Sequence, residues 1–349
     1  MTSHHPIHCI LPPALLEQIA RNGSAEQRSR ALGTLSIDHS LRTQRMHPQR
    51  QRGRGGRRVS ESDENAQRSI YTAAGSETLP GTLVRAEGQE ASGDAAVDEA
   101  YDGLGDTFAL FDDVYGRDSI DDDGLPLDAT VHFGENYDNA FWNGAQMVFG
   151  DGDGELFNRF TISLDVIGHE LAHGVTEDEA GLVYLSQPGA LNESVSDVFG
   201  SLVKQYKAGQ TADQADWLIG AGLFTDQVQG VALRSMKEPG SAYDDDVLGK
   251  DPQPAHMRDF VYTFSDNGGV HINSGIPNRA FYLTAVALGG HAWEKAGQIW
   301  YDALRDSRIK PTARFRTFAR ATVRAARSGF GPDEAATVAQ AWGDVGVVV

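Results

Sequence analysis

Two histidines, His169 and His173, stand four residues apart with Glu170 beside the first of them, in the stretch Thr161-Ile-Ser-Leu-Asp-Val-Ile-Gly-His-Glu-Leu-Ala-His-Gly-Val-Thr176. On a helix, a residue four positions on has rotated by only about 40°, so both imidazoles project from one face and can grip a single cation. Glu170, about 100° further round, flanks that cation without binding it. Neutral imidazole suits zinc, and a catalytic zinc keeps three protein ligands and leaves a fourth position to water. A third ligand must come from elsewhere in the chain. The stretch Asn192-Glu-Ser-Val-Ser-Asp197 offers Glu193, twenty residues after His173, which is room enough for a turn and an antiparallel return. Asp197, one helical turn beyond Glu193, is placed to accept a hydrogen bond from the far nitrogen of a ligating histidine.

The elements that must position these groups are legible around them. Leu164, Ile167, Leu171 and Val175 recur at helical spacing opposite the two histidines, so one face is core and the other chemistry. A second helical pattern is expected over 192–207, carried on from Glu193 by Val198, Phe199, Leu202 and Val203. Further helices are expected over 276–288, 292–306, 311–328 and 332–343, the last opening with Gly331-Pro-Asp-Glu. From Ile70 to Phe160, short apolar runs such as Thr82-Leu-Val-Arg85, Ala129-Thr-Val-His-Phe133 and Gln146-Met-Val-Phe149 alternate with Gly and Asp turns and read as strands. The acidic runs Asp118–Asp128 and Asp151–Glu155 are read as solvated turns. Counting from Asp151 puts Leu156 and Ile162 where an EF-hand needs its glycine and glutamate.

His169-Glu-x-x-His173 followed by Asn192-Glu-Ser-Val-Ser-Asp197 resembles the zinc site of the thermolysin family of metalloendopeptidases. The resemblance extends to Asn139-Ala-Phe-Trp-Asn-Gly144, Gly150-Asp-Gly-Asp-Gly154, Gly181-Leu-Val-Tyr184, Leu233-Arg-Ser-Met236 and Asp266-Asn-Gly-Gly-Val-His-Ile-Asn-Ser-Gly275, over roughly residues 68–349. It implies an α+β, thermolysin-like two-lobe fold, with a β-rich N-terminal lobe, a mainly α-helical C-terminal lobe and the zinc helix between them, preceded by a short propeptide. It also implies a Zn2+-dependent endopeptidase that cuts peptides or proteins with a zinc-activated water and Glu170 as general base. His169, His173 and Glu193 would be the ligands. His271 and Tyr184 would donate to the oxyanion, and Asp266 would orient His271. Arg234 would clamp a substrate carbonyl, while Asn139 and the backbone of Ala140 would pair with an extended peptide. Phe157, Phe160, Val166 and Leu233 match positions lining the pocket for the residue after the scissile bond, so a large hydrophobic residue such as Leu or Phe is expected there. One departure concerns calcium. Asp165 remains, but Lys204 stands where the family often places an acidic ligand, and Trp217–Gly222 lacks the others, so the paired calcium site is expected to be absent.

Composition sets the context. Among 349 residues the net charge is −19, yet residues 1–68 hold eleven arginines against six acids, so a basic head precedes an acidic body. Residues 1–60 are expected to be propeptide and linker, 61–188 the β-rich lobe ending in the zinc helix, and 189–349 the helical lobe. Cys9-Ile-Leu-Pro-Pro-Ala-Leu15 resembles the motif of the short propeptides in the protealysin-like branch of the family. Its segment Cys9–Leu15 is expected to reach the cleft, either with the Cys9 thiolate on the zinc or with the thiol simply buried. The tract Arg50–Arg58 lacks interleaved aromatics, so a protease-sensitive linker is preferred to nucleic-acid binding. The single cysteine excludes an intrachain disulfide framework. No membrane-spanning run and no signal peptide are read, so cytoplasmic synthesis followed by secretion along another route is expected. A serine hydrolase lacks its G-x-S-x-G elbow here, and a zinc scaffold without catalysis would be expected to lose Glu170.

Overall fold

The computed structural model describes residues 8–46 and 66–349, so the Arg50–Arg58 tract and most of the expected linker lie outside the described residues. The architecture is α+β, with a β-rich N-terminal lobe and a helical C-terminal lobe, as the resemblance implied. Six strands form one sheet in the order β1-β5-β6-β4-β2-β3: β1 His8–Cys9, β2 Arg68–Thr72, β3 Thr82–Ala86, β4 Leu127–Val131, β5 Ala140–Trp142 and β6 Met147–Phe149. β4 runs parallel to β2 and β6, whereas β5 is antiparallel to β6. The outermost strand, β1, belongs to the head and pairs antiparallel with β5, His8 opposite Trp142 and Cys9 opposite Phe141.

The head continues as α1 (Pro13–Asn22) and α2 (Ala25–Met46). Pro13 begins α1, where the missing N–H costs nothing. Ile10, Leu11, Leu15, Leu16 and Ile19 are buried against the body, each at 4% exposure or less. Fully burying such a side chain stabilises by about 1.5–3 kcal/mol.

Helix α3 (Ala95–Tyr115) was not expected inside the strand-rich region. Its acids and glycines look like turn residues in sequence, but Val97, Tyr101, Leu104 and Phe111 are buried at helical spacing. Asp94 caps it by accepting from the Ala96 and Val97 amides. Gly103 is there because a Cβ would stand 2.4 Å from the Ile167 side chain of the neighbouring helix.

That neighbour is α4 (Leu164–Glu179), and it packs against α5 (Ser186–Ala208). The two helices approach closely because Gly168 faces Gly200, where a Cβ would meet the Asp165 carbonyl at 2.3 Å. α5 starts six residues earlier than the expected 192, since Pro188 lies in its first turn and there needs no donor. The remaining helices are α6 (Asp266–Asn273), α7 (Gly275–Leu288), α8 (Lys295–Leu304), α9 (Phe315–Gly329) and α10 (Pro332–Asp344). No helix among the described residues is long and apolar enough to cross a membrane.

Candidate active site

Helices α4 and α5 bring His169, His173 and Glu193 together. The two Nε2 atoms are 3.1 Å apart. Glu193 lies 3.6 Å from His169 Nε2 and 3.5 Å from His173 Nε2 through its two oxygens. Each far nitrogen is held in turn: His169 Nδ1 is 2.8 Å from Asp197 Oδ1, and His173 Nδ1 is 2.7 Å from Asn192 Oδ1 and 3.0 Å from Ser196 Oγ. Sequence reasoning found Asp197 but gave Asn192 no role, although it adjoins Glu193 in the motif. Asn192 is oriented by donating to the Leu182 carbonyl, which leaves its oxygen to His173.

All these groups are buried. Burial works against the Asp197 charge, but Arg234 and then His169 outweigh it and hold its pKa well below the usual carboxylate range. Glu170 is the opposite case, since burial and the adjacent Glu193 raise its pKa well above the ordinary value. Its Oε2 accepts from the Trp142 amide at 2.9 Å, which ties α4 to strand β5. Glu170 Oε1 and Glu193 Oε2 are buried without hydrogen-bond partners among the described residues. Two imidazoles and a buried carboxylate with an oxygen that no hydrogen bond satisfies are a donor set that a zinc ion fits.

On the other wall, residues Asp266–Gly269 run through positive φ, a path that Gly268 and Gly269 adopt without strain. This turn brings the Asp266 carboxylate back onto His271, where it meets the backbone N–H at 2.9 Å and Nδ1 at 2.5 Å. Burial opposes charge on His271, but Asp266 and then Glu193 push its pKa up to about 9. Tyr184 O–H donates to Glu193 and lies 3.2 Å from His271 Nε2.

The cleft between these walls holds the head. His271 Nε2 is 3.1 Å from the Cys9 carbonyl oxygen. The Ile10 amide donates to the Ala140 carbonyl at 3.1 Å, and the Leu11 amide donates to Asn139 Oδ1 at 3.0 Å. Arg234 Nη1 donates to the Ile10 carbonyl at 3.2 Å while the rest of its guanidinium grips Asp197. Phe157, Phe160, Val166 and Leu233 are buried in the same core that takes Ile10 and Leu11. The structure thus brings His169, His173, Glu193, Asp197, Glu170, Tyr184, His271, Asp266, Arg234, Asn139 and Ala140 to one cleft.

Two family models match in tandem, the thermolysin metallopeptidase catalytic domain over residues 33–177 and its alpha-helical domain over 180–347. An extracellular metalloprotease of Pectobacterium carotovorum subsp. carotovorum is 57% identical over 344 residues, covering 99% of this chain and 97% of that one. This chain belongs to the thermolysin family of metallopeptidases. A protease named PrtS from Photorhabdus sp. is 48% identical over 97% of this chain and 92% of its own length. The solved precursor of protealysin, a metalloproteinase from Serratia proteamaculans, superposes with a TM-score of 0.90 at 56% identity, covering 98% of this chain and 100% of that one. This thermolysin-like chain is therefore a peptide hydrolase of a zinc-dependent family.

Of the two alternatives left open for Cys9, the structure of this thermolysin-like chain shows the buried thiol, in a separate cluster with Phe133, Phe141 and Val148. Charge is paired across the contact of head and body. Arg30 reaches Glu155 at 3.3 Å, but the acidic member of the head, Asp38, is buried against the body and accepts from Tyr137 and Asn139. Lys204, by contrast, lies 2.7 Å from Asp165 and 3.0 Å from Asp216, so its ammonium occupies the place between these acids.

Proposed function

We propose that the protein is a zinc endopeptidase made as a precursor and restrained by its own N-terminal propeptide. One observation supports this most directly. The head crosses the cleft as an added strand, and its backbone atoms from Cys9 to Leu11 meet His271, Ala140, Arg234 and Asn139, the groups expected to hold a substrate. Cys9–Ile10 then stands where the scissile bond of a substrate would lie, with Ile10 in the place of the residue after it.

The ion, when bound, supplies Lewis acidity that activates water and polarises the carbonyl. Glu170 takes the proton of the attacking water and passes it to the leaving amine. His271 and Tyr184 donate to the oxygen on which charge develops, and Asp266 fixes His271 for that task. Asn139, Ala140 and Arg234 hold the peptide extended. The apolar Phe157, Phe160, Val166 and Leu233 favour a large hydrophobic residue such as Leu or Phe after the cut. Substrates are peptides or proteins, and neither nucleic acid nor membrane enters this reading. The relative named as extracellular supports secretion of this chain.

The test is His271→Ala in protein whose linker has been cut and head removed. We expect kcat to fall about 100-fold with KM changed less than about threefold, because the lost donor acts mainly in the transition state. An effect confined to KM would assign His271 to ground-state binding. Calcium is expected to matter little, since Lys204 already neutralises Asp165. Thermal unfolding with millimolar calcium or with a calcium chelator should agree within a few degrees, and a shift of tens of degrees would contradict this.

Head docking is also expected to depend on pH. Asp138 is 3% exposed, and its amide donates to Thr34 of α2 at 3.2 Å. Burial, then repulsion from Asp153, pushes its pKa up to about 8, against the nearby Arg30 charge. A carboxyl with a raised pKa in the docked state favours docking fully below its ordinary pKa, and that contribution is lost as pH rises toward 8. The rate at which the head separates after the linker is cut should therefore increase between pH 5 and pH 9. Asp138→Asn should flatten that dependence. An unchanged profile in the variant would remove Asp138 from the account.

A further inference from the structure

Alternation along β1 separates its two residues, because successive side chains of a strand point to opposite faces. Cys9 turns into the aromatic cluster, so His8 turns toward the metal site. The His8 ring stacks on His173 with centroids 4.1 Å apart and planes 17° apart, and it meets the Tyr184 ring edge-on at 4.3 Å. Ligand atoms of His8, His173 and Glu193 all lie within 4.8 Å of one another. His8 is only 3% exposed, and His173 and Glu193 are fully buried. Packing alone would be served by any flat ring here. A third imidazole has instead been carried to two residues that already belong to the candidate donor set.

We propose that His8 is a metal ligand of the latent protein, filling the position that a catalytic zinc otherwise leaves to water. This rests on the zinc-peptidase reading above and goes beyond it. With His169, His173 and Glu193, a fourth protein donor turns an open site into a closed tetrahedral one, the form found in structural zinc sites. Ligands at about 2.0–2.1 Å from one zinc stand about 3.3 Å apart, so the His8 ring has to rotate out of its stack on His173 to turn a nitrogen toward the ion. The arrangement gives a reason why a segment held like a substrate is not consumed. His271 and Arg234 grip the carbonyls on either side of the Ile10 residue, yet the place from which water would attack Cys9 is taken by the side chain of the preceding residue. Cutting the linker and losing the head removes His8, and the same event returns that position to water.

The experiment uses the full chain carrying Glu170→Gln, so that it does not process itself, loaded with one equivalent of zinc and studied by X-ray absorption. Three imidazoles are expected around the ion. His8→Phe in the same background keeps a ring against His173 and Tyr184 but removes the nitrogen, and should leave two imidazoles. Its zinc should pass to a chelator at least tenfold faster. Two imidazoles in the protein that retains His8 would overturn the proposal without reference to any variant at that position, and so would identical spectra for His8 and His8→Phe. Peptide cleavage by the separated wild-type body is measured alongside. If the body cuts peptides while the latent form shows two imidazoles, only the role of His8 fails. If the body binds no zinc or cuts nothing, the zinc-peptidase reading fails instead.

Discussion

Glu170→Gln is expected to keep zinc bound and to lower peptide turnover by at least about 1,000-fold, the upper range for a lost general base. The substitution removes the proton acceptor but leaves His169, His173 and Glu193, with their partners Asp197, Asn192 and Ser196, in place. Glutamine keeps an oxygen able to accept from the Trp142 amide, so the contact between α4 and β5 persists. Since the variant should not process itself, its linker must be cut by an added protease before it is compared with wild type treated in the same way. Metal content and peptide turnover are then read on the same samples. Normal turnover in a zinc-loaded variant would dismiss Glu170 as the base, whereas lost zinc would make the comparison a test of folding at the site.

Separating the head from the body should raise peptidase activity at least about 100-fold over the uncut chain. A short tether supplies the head at an effective concentration near millimolar, so even an intrinsic affinity near 10 micromolar leaves about one site in a hundred open. The contacts support at least that affinity. Ile10, Leu11, Leu15, Leu16 and Ile19 are buried, the strand adds backbone hydrogen bonds, and Asp38 satisfies Tyr137 and Asn139. The measurement follows intact mass and activity over time for wild type, with Glu170→Gln as the uncut reference. Full activity in uncut wild type, or no gain on removing residues 1–50, would show that the head does not restrain the enzyme.

The chemistry was legible in the sequence because it is carried by short spacings. A spacing of four from His169 to His173, and one helical turn from Glu193 to Asp197, fix side-chain directions as soon as the segments are helices. The helical lobe was legible for the same reason, since its apolar repeats are local. Helix α3 was not. Gly103 answers to Ile167 of α4, a residue distant in sequence, and a close approach of that kind leaves no local signal beyond a glycine that resembles a turn.

By itself, then, the sequence singled out the candidate donor set, the candidate base and the presence of a head with a proline-bearing segment. Only the tertiary structure decided how that segment meets the site. Cys9 and His8 are neighbours and both are chemically able to bind zinc, but a strand presents alternate residues to opposite faces. Pairing β1 with β5 in the register Cys9 opposite Phe141 sends the thiol into the cluster of Phe133, Phe141 and Val148 and the imidazole onto His173. A shift by one residue would have exchanged them. Register between strands more than a hundred residues apart is set by the fit of Ile10 and Leu11 into the buried core and by the hydrogen bonds to Asn139 and Ala140, and no local pattern in the chain encodes that fit.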